Sequence, residues 1–335
     1  MSSTPVASTP VGPMRFPGVV TGSMTGSVIG VDVGGTKIAA GVVSAHGAVL
    51  ARMRVSTPRT GQDDVLAAIG ALVRALANDV QSSPVALGVA VPGVVDPARG
   101  VVLSATDTIP GWSGAPVRAA LESASGLPVA VDNDVRAMAY GEVARGAARG
   151  LRDVLFVSIG TGVGGAMTRG DQLVRGPYGT AGEIAHLLVP EKGIVPCGCG
   201  RYDHLEAVAS GPAIAARYRA ATGDEIDLRG VADRMRLGDG AALAAVTGAA
   251  TVLGRTLAGF AAAAGIGAVV VGGGAAEIGE PLLDPLRRAF RAEVLPTAAG
   301  SPVVAASLGG DGPLIGAALV ARAALMGGMA RRSRG

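Results

Sequence analysis

Residues 27–55 read SVIGVDVGGTKIAAGVVSAHGAVLARMRV, and residues 153–176 read DVLFVSIGTGVGGAMTRGDQLVRG. Each stretch opens on β-branched and apolar residues, crosses a glycine-rich turn and resumes an apolar run. Each then breaks at a polar turn, His46–Gly47 in the first and Gly170–Asp171 in the second. Laid together, VDVGGT (31–36) sits over VSIGTG (157–162). Both therefore predict strand, turn, strand, turn, strand. In P-loop and Rossmann units the glycine-rich turn leads from a strand into a helix, whose N-terminus holds the phosphate. Here another strand follows each turn, so both are hairpins, and the backbone amides of such turns can form an anion-binding nest. VVVGGGAAEIG (269–279) adds a third strand–glycine turn. Three such turns in one chain point to a nucleotide.

The surroundings of the two stretches also match. After the first come a helix near 63–79, the strand ALGVAVPG (86–93), a helix near 115–125 and the strand LPVAVDND (127–134). After the second, helices near 208–220 and 241–264 lead to the strand GAVVVGGG (267–274). A repeated plan at this scale predicts two α/β lobes with a cleft between them. The 335 residues suffice for two cores. With 49% hydrophobic but only 3% aromatic residues, those cores must be built from Val, Leu, Ile and Ala.

Composition also narrows the function classes. A net charge of +3 with 16% charged residues argues against a nucleic-acid partner, which needs a basic face. The most apolar stretch, 241–274, contains Arg255 and several glycines. It reads as a buried helix–strand pair, with no membrane span. Residues 1–27 are rich in Ser, Thr, Pro and Gly and lack the basic start and apolar run of a signal peptide, so they read as a flexible tail. Two cysteines one residue apart make a poor disulfide framework and suit a reducing cytoplasm.

Two segments carry chemistry. The strand ending at Asp132-Asn133-Asp134 runs into a helix-like stretch, which places acids where a base for a hydroxyl would stand. The same pattern suits a carboxylate that merely caps the helix. Further on, His186, Cys197, Cys199 and His204 gather two thiols and two imidazoles within 19 positions, although the chain has only two cysteines and three histidines. These are donors for tetrahedral zinc, and four protein ligands would close the coordination sphere, making the metal structural. Such a zinc would order the loop 186–204 and thereby fix Glu183 and Glu206, which flank it.

With these residues in view, the chain resembles the ROK family (repressor, open reading frame, kinase) from about residue 28 to 325. DVGGTKIAAGVV (32–43), VPGVVD (91–96), DTIPGW (107–112), DNDVRA (132–137), GTGVGG (160–165), GEIAH (182–186) and the Cys/His loop follow in that family's order. The resemblance implies a two-lobed actin/hexokinase-like (ribonuclease H-like) ATPase fold, an α/β architecture with duplicated hairpin phosphate loops. The lobes would be 28–134 plus 306–330, and 135–305 with the zinc loop. It implies ATP-dependent phosphorylation of a hexose at the 6-hydroxyl, glucose ahead of N-acetylglucosamine or N-acetylmannosamine. A catalytically silent sugar sensor is the alternative of another class.

Carried over residue by residue, Asp134 is the general base, and Gly93, Asn133, Glu183, His186 and Glu206 join it around the sugar. Gly34, Gly35, Thr36, Lys37, Gly160, Thr161, Gly162, Gly272, Gly273 and Gly274 enclose ATP, with Asp32 near Mg²⁺. The partners expected are a hexose and ATP, with a homodimer or homotetramer as the assembly. Three features depart from the family's pattern. His204 stands where a third cysteine is usual, Asp203 replaces the glycine before it, and NDVR replaces NDAN, which puts Arg136 beside the sugar pocket.

Overall fold

The computed structural model describes residues 14–15, 26–79, 83–106, 108–170, 172–189 and 195–332. The expected tail, the polar-turn residue Asp171 and positions 190–194 of the Cys/His loop fall wholly or partly outside these. The chain packs as two compact units. One takes in the described parts of Met1–Asp134, Asp171–Gly182 and Ala317–Gly335; the other, Val135–Gly170 and Glu183–Gly316. Relative to the lobes expected from the resemblance, 171–182 joins the first unit and 306–316 the second.

In the first unit, β1 (Met14–Arg15) is followed by the hairpin of β2 (Val28–Val33) and β3 (Lys37–Val43), and then by β4 (Val49–Ser56). Helix α1 (Gln62–Asp79) buries Val65, Ile69, Leu72, Val73 and Leu76, the i, i+4, i+7, i+8, i+11 stripe of an amphipathic helix, and carries Asp63 and Asp64 in its first turn. β5 (Leu87–Val91), the small hairpin of β6 (Val94–Asp96) and β7 (Val101–Ser104), α2 (Val117–Ser125) and β8 (Val129–Asn133) complete this run. The sheet order is β4-β3-β2-β5-β8, with β3 antiparallel to β2, and β5 and β8 parallel.

Helix α3 (Asp134–Arg145) carries the chain into the second unit, whose own hairpin is β9 (Val154–Ile159) and β10 (Val163–Arg169). The chain then returns to the first unit for β11 (Gln172–Val174), which pairs antiparallel with β1, Met14 opposite Leu173. Two residues of the expected tail thus sit in a strand, where β11 offers them backbone partners. The second unit continues with α4 (Leu205–Ala209), α5 (Gly211–Thr222), α6 (Leu228–Arg236) and α7 (Gly240–Ala264). It goes on through β12 (Ala268–Gly272), α8 (Glu280–Glu293) and β13 (Val303–Ala305) to the start of α9 (Gly312–Arg332). Its strands run β10-β9-β12-β13, with β10 antiparallel to β9, and β12 and β13 parallel. That is the β3-β2-β5-β8 order again, so the duplication read from the two hairpins extends to the sheets.

Helix α7 is long and apolar enough to cross a membrane. It packs chiefly on α8 and also on α4, α5 and α6, burying Ala242, Val246, Leu253 and Leu257 among others. With Asp239 accepting from the Ala241 and Ala242 amides at its start and Gly265 in the left-handed conformation at its end, it is capped as a core helix.

Candidate active site

In the first unit the acids gather at the ends of β2 and β8. Asp132 is buried and gripped by Arg175, whose Nη1 donates to Oδ1 at 2.8 Å and whose Nη2 donates to Oδ2. Its Oδ1 also accepts from the Asn133 amide. These bonds commit Asp132 to structure. Asp134, two residues on, opens α3, and the Asn133 side-chain Nδ2 donates to its Oδ1 at 2.8 Å and to the Gly93 carbonyl at 3.1 Å. Asn133 therefore aims the Asp134 carboxylate. Gly93 supplies that carbonyl from φ +97°, where a Cβ would meet the Ser104 oxygen at 2.4 Å, so only glycine fits. Trp112, buried, donates from Nε1 to the neighbouring Pro92 carbonyl and braces the same turn.

The first hairpin lies beside these acids. The Gly34 amide donates to the Lys37 carbonyl at 2.9 Å and closes the turn. Thr57 braces it from β4's end, its hydroxyl donating to the Gly34 carbonyl at 2.6 Å and its amide to Thr36. The Asp32 carboxyl is pushed up to about 7, chiefly by burial, with the Asp134 charge adding to the rise and Lys37 opposing it. Two oxygen-donor acids that disfavour each other's charge, next to a phosphate-type turn, are the chemistry that suits Mg²⁺ with a nucleotide. The sequence pointed to Asp32 and Asp134, but not to Thr57 or Arg175, which are distant in the chain and belong to no local motif.

In the second unit, the turn between Ile159 and Val163 is closed by the Gly160 amide donating to the Gly162 carbonyl at 2.8 Å. The third turn reaches it: Gly273, at φ +83°, packs so closely that a Cβ would meet the Ile159 backbone at 2.4 Å. Thr161 is exposed at the tip. Glu206, in α4, accepts from the Val163 amide at 3.0 Å. Glu183 has its carboxyl raised by desolvation, against the pull of Arg136, with Glu206 adding repulsion. Arg136 itself is 4% exposed. The motif departure that brought an arginine to this position thus sets a buried cation beside a carboxylate named for the sugar.

His186, Cys197, Cys199 and His204 each offer a ligand atom, and these atoms all lie within 4.8 Å of one another. His186 Nδ1 is 3.2 Å and Cys199 Sγ 3.3 Å from His204 Nδ1. Tetrahedral zinc with bonds of ~2.0–2.3 Å has edges of about 3.3–3.8 Å, so the donor set fits that metal. Desolvation, with His186 and Arg201 nearby, lowers the His204 pKa, so its imidazole is held neutral, as a ligand must be. Asp203 stands apart from the cluster: its Oδ1 accepts from the Val195 amide, and its φ of +55° takes the left-handed conformation that the family's usual glycine adopts freely.

The family model for the ROK family matches residues 28–324. The chain belongs to the ROK family. Among curated ROK relatives it is 35% identical over 324 residues to a glucokinase of Streptomyces coelicolor, covering 89% of this chain and 98% of that one. It is 33% identical over 299 residues to an N-acetylmannosamine kinase of Escherichia fergusonii, covering 88% and 98%. Among solved ROK structures, a glucokinase from Streptomyces griseus in complex with glucose and AMPPNP superposes with a TM-score of 0.81 at 36% identity, over 89% of this chain and 99% of that one. These likenesses bear out the two-lobed actin/hexokinase-like fold.

Proposed function

We propose that this chain is an ATP-dependent hexose kinase that phosphorylates glucose at the 6-hydroxyl. The observation that carries the reading is its likeness, across nearly the whole of both chains, to the glucokinase structure holding glucose and an ATP analogue. The geometry agrees with it. Asp134, aimed by Asn133, accepts the proton of the 6-hydroxyl as the oxygen attacks the γ-phosphorus, and the bond to the β–γ bridging oxygen breaks to release ADP. Asp32 would hold Mg²⁺, which offsets charge on the transferring phosphates. Backbone amides of the turns at 34–37, 160–162 and 272–274 would line those phosphates. Sugar contacts are assigned to Gly93, Asn133 and Asp134 in the first unit and to Glu183, His186 and Glu206 in the second.

Zinc would be held by His186, Cys197, Cys199 and His204 and would supply order to the loop. With His186 turned to the cluster through Nδ1, its Nε2 is left for another partner, and the metal fixes the ring's tautomer. A cytoplasmic homodimer or homotetramer is the assembly proposed.

A second reading, N-acetylmannosamine kinase, is favoured by the relative of that name. An ADP-release assay across glucose, mannose, fructose, N-acetylglucosamine and N-acetylmannosamine separates them. Glucose should give the highest kcat/KM. A preference for an N-acetylated sugar would move the assignment to the second reading, and no turnover on any of the five would support the silent sensor.

A further inference from the structure

Both ends of the second hairpin's turn are held by one short segment, residues 206–211. At one end the Glu206 carboxylate accepts from the Val163 amide at 3.0 Å. At the other the Gly211 amide, at the start of α5, donates to the Gly160 carbonyl at 2.8 Å. Between them the Ser210 amide donates to the Glu206 carbonyl at 3.1 Å, so the segment is a closed helical turn with a fixed span. Fit on the turn is tight. A Cβ on Gly162 would meet Glu206 Oε2 at 2.4 Å, and a Cβ on Gly211 would meet the Gly160 oxygen at 2.9 Å.

We propose that Glu206, besides the sugar contact assigned to it, is a positioning residue for the nucleotide, because its carboxylate sets the conformation of the 160–163 turn. The inference rests on the kinase reading. The turn's use depends on its amides converging on one anion. A glycine-rich turn left unbraced samples many conformations, and ordering it on binding costs affinity. The bond to Val163 meets that ordering cost before the nucleotide arrives. In the first hairpin Thr57 braces a carbonyl; in the second an acid braces an amide, on a segment that begins two residues after His204. The Cys/His cluster is thereby tied through Glu206 to the phosphate turn as well as to the sugar side.

The test is AMPPNP·Mg²⁺ binding to the full chain without sugar, measured by isothermal titration calorimetry, so that sugar contacts do not enter. Wild type should bind; failure to bind would overturn the kinase reading itself. Glu206→Ala removes the acceptor and should weaken binding about tenfold, the size expected for a charged hydrogen bond. Glu206→Gln keeps an acceptor at Val163 and should stay within about threefold of wild type, well short of what losing the bond costs. Within the protein a methyl on Gly162 meets only the Glu206 carboxylate, so Gly162→Ala displaces it. It should weaken binding too, and it carries the test if Glu206→Ala does not fold. Wild-type affinity in Glu206→Ala or in Gly162→Ala, or equal losses in the Ala and Gln variants, would overturn the proposal.

Discussion

Asp132 and Asp134 lie two positions apart, and spacing alone does not choose between them, although the family resemblance points to Asp134. The structure separates them by their partners. Asp132 is 1% exposed and doubly bonded to Arg175, so Asp132→Ala should take away the buried carboxylate to which both guanidinium nitrogens donate and cost about 3–5 kcal/mol, read by urea denaturation. Asp134→Asn should leave stability and sugar binding near wild type and lower kcat by about 10²–10⁴-fold, since an amide cannot accept the hydroxyl proton. A variant at that position with wild-type turnover would remove Asp134 from the role.

Asp32 belongs to the same scale and gives a pH signature. The folded chain holds its proton up to about 7, whereas an unfolded chain releases it near 3.8. Stability from this group is therefore fully present below about pH 4 and is lost as the pH rises toward 7. Asp32→Asn should raise the melting temperature of the ligand-free protein at pH 8, change it little at pH 4, and abolish turnover. Calorimetric scans at the two pH values check this, and equal melting of variant and wild type at pH 8 would refute it.

At the scale of elements, the Cys/His loop and the hairpins make separate demands. His204→Cys restores the donor usual in the family and should keep one zinc per chain and activity, while His204→Ala should lose much of both. Elemental analysis of the purified variants decides it, and a fully zinc-loaded, fully active His204→Ala would sink the metal reading. In the first hairpin, Gly35→Val should raise the KM for ATP far more than the KM for sugar. There a Cβ would meet Thr108 Cγ2 at 2.5 Å, so the branch strikes the protein as well as the incoming phosphate. A change confined to the sugar KM would argue against the nest.

The elements themselves were legible where a strong period ran: α1, α7, β5, β8 and both hairpins stand where the patterns put them. The helix expected near 208–220 is instead two, α4 and α5, because Ser210 accepts from the Ala213 amide and starts a new helix, with proline in its first turn. Ser-Gly-Pro at 210–212 carried that signal as an N-cap followed by proline. The β6–β7 hairpin and helix α6 were not read from the sequence, although Asp227, which accepts from the Gly230 amide, marks the start of α6.

Over the whole molecule, the repeated strand order ties the two units to one plan, and long-range pins hold each together. Glu142 is fully buried in α3. Its carboxylate accepts from the amides of Ala147, Ser307 and Leu308 and from the Ser307 hydroxyl, joining positions 165 apart or more in three of these bonds. Glu142→Ala should remove these hydrogen bonds to a charged acceptor and cost about 2–3 kcal/mol, measured by chemical denaturation. A loss under about 0.5 kcal/mol, the level of an ordinary surface change, would show that the pin is dispensable.

The sequence by itself determined the duplicated hairpins, the order of motifs that marks the family, and the set of four soft and borderline donors. Each of these is local: a strand–glycine–strand pattern or a cluster within 19 positions is written in neighbouring residues. Only the tertiary structure decided that Asp132 is locked by Arg175 and Asp134 aimed by Asn133, and that Glu206 braces the 160–163 turn. Asp132 finds Arg175 and Glu206 finds Val163 across 43 residues each. A hydrogen bond at 3 Å depends on where the sheet and helices place its partners, and no residue pattern along the chain encodes that distance.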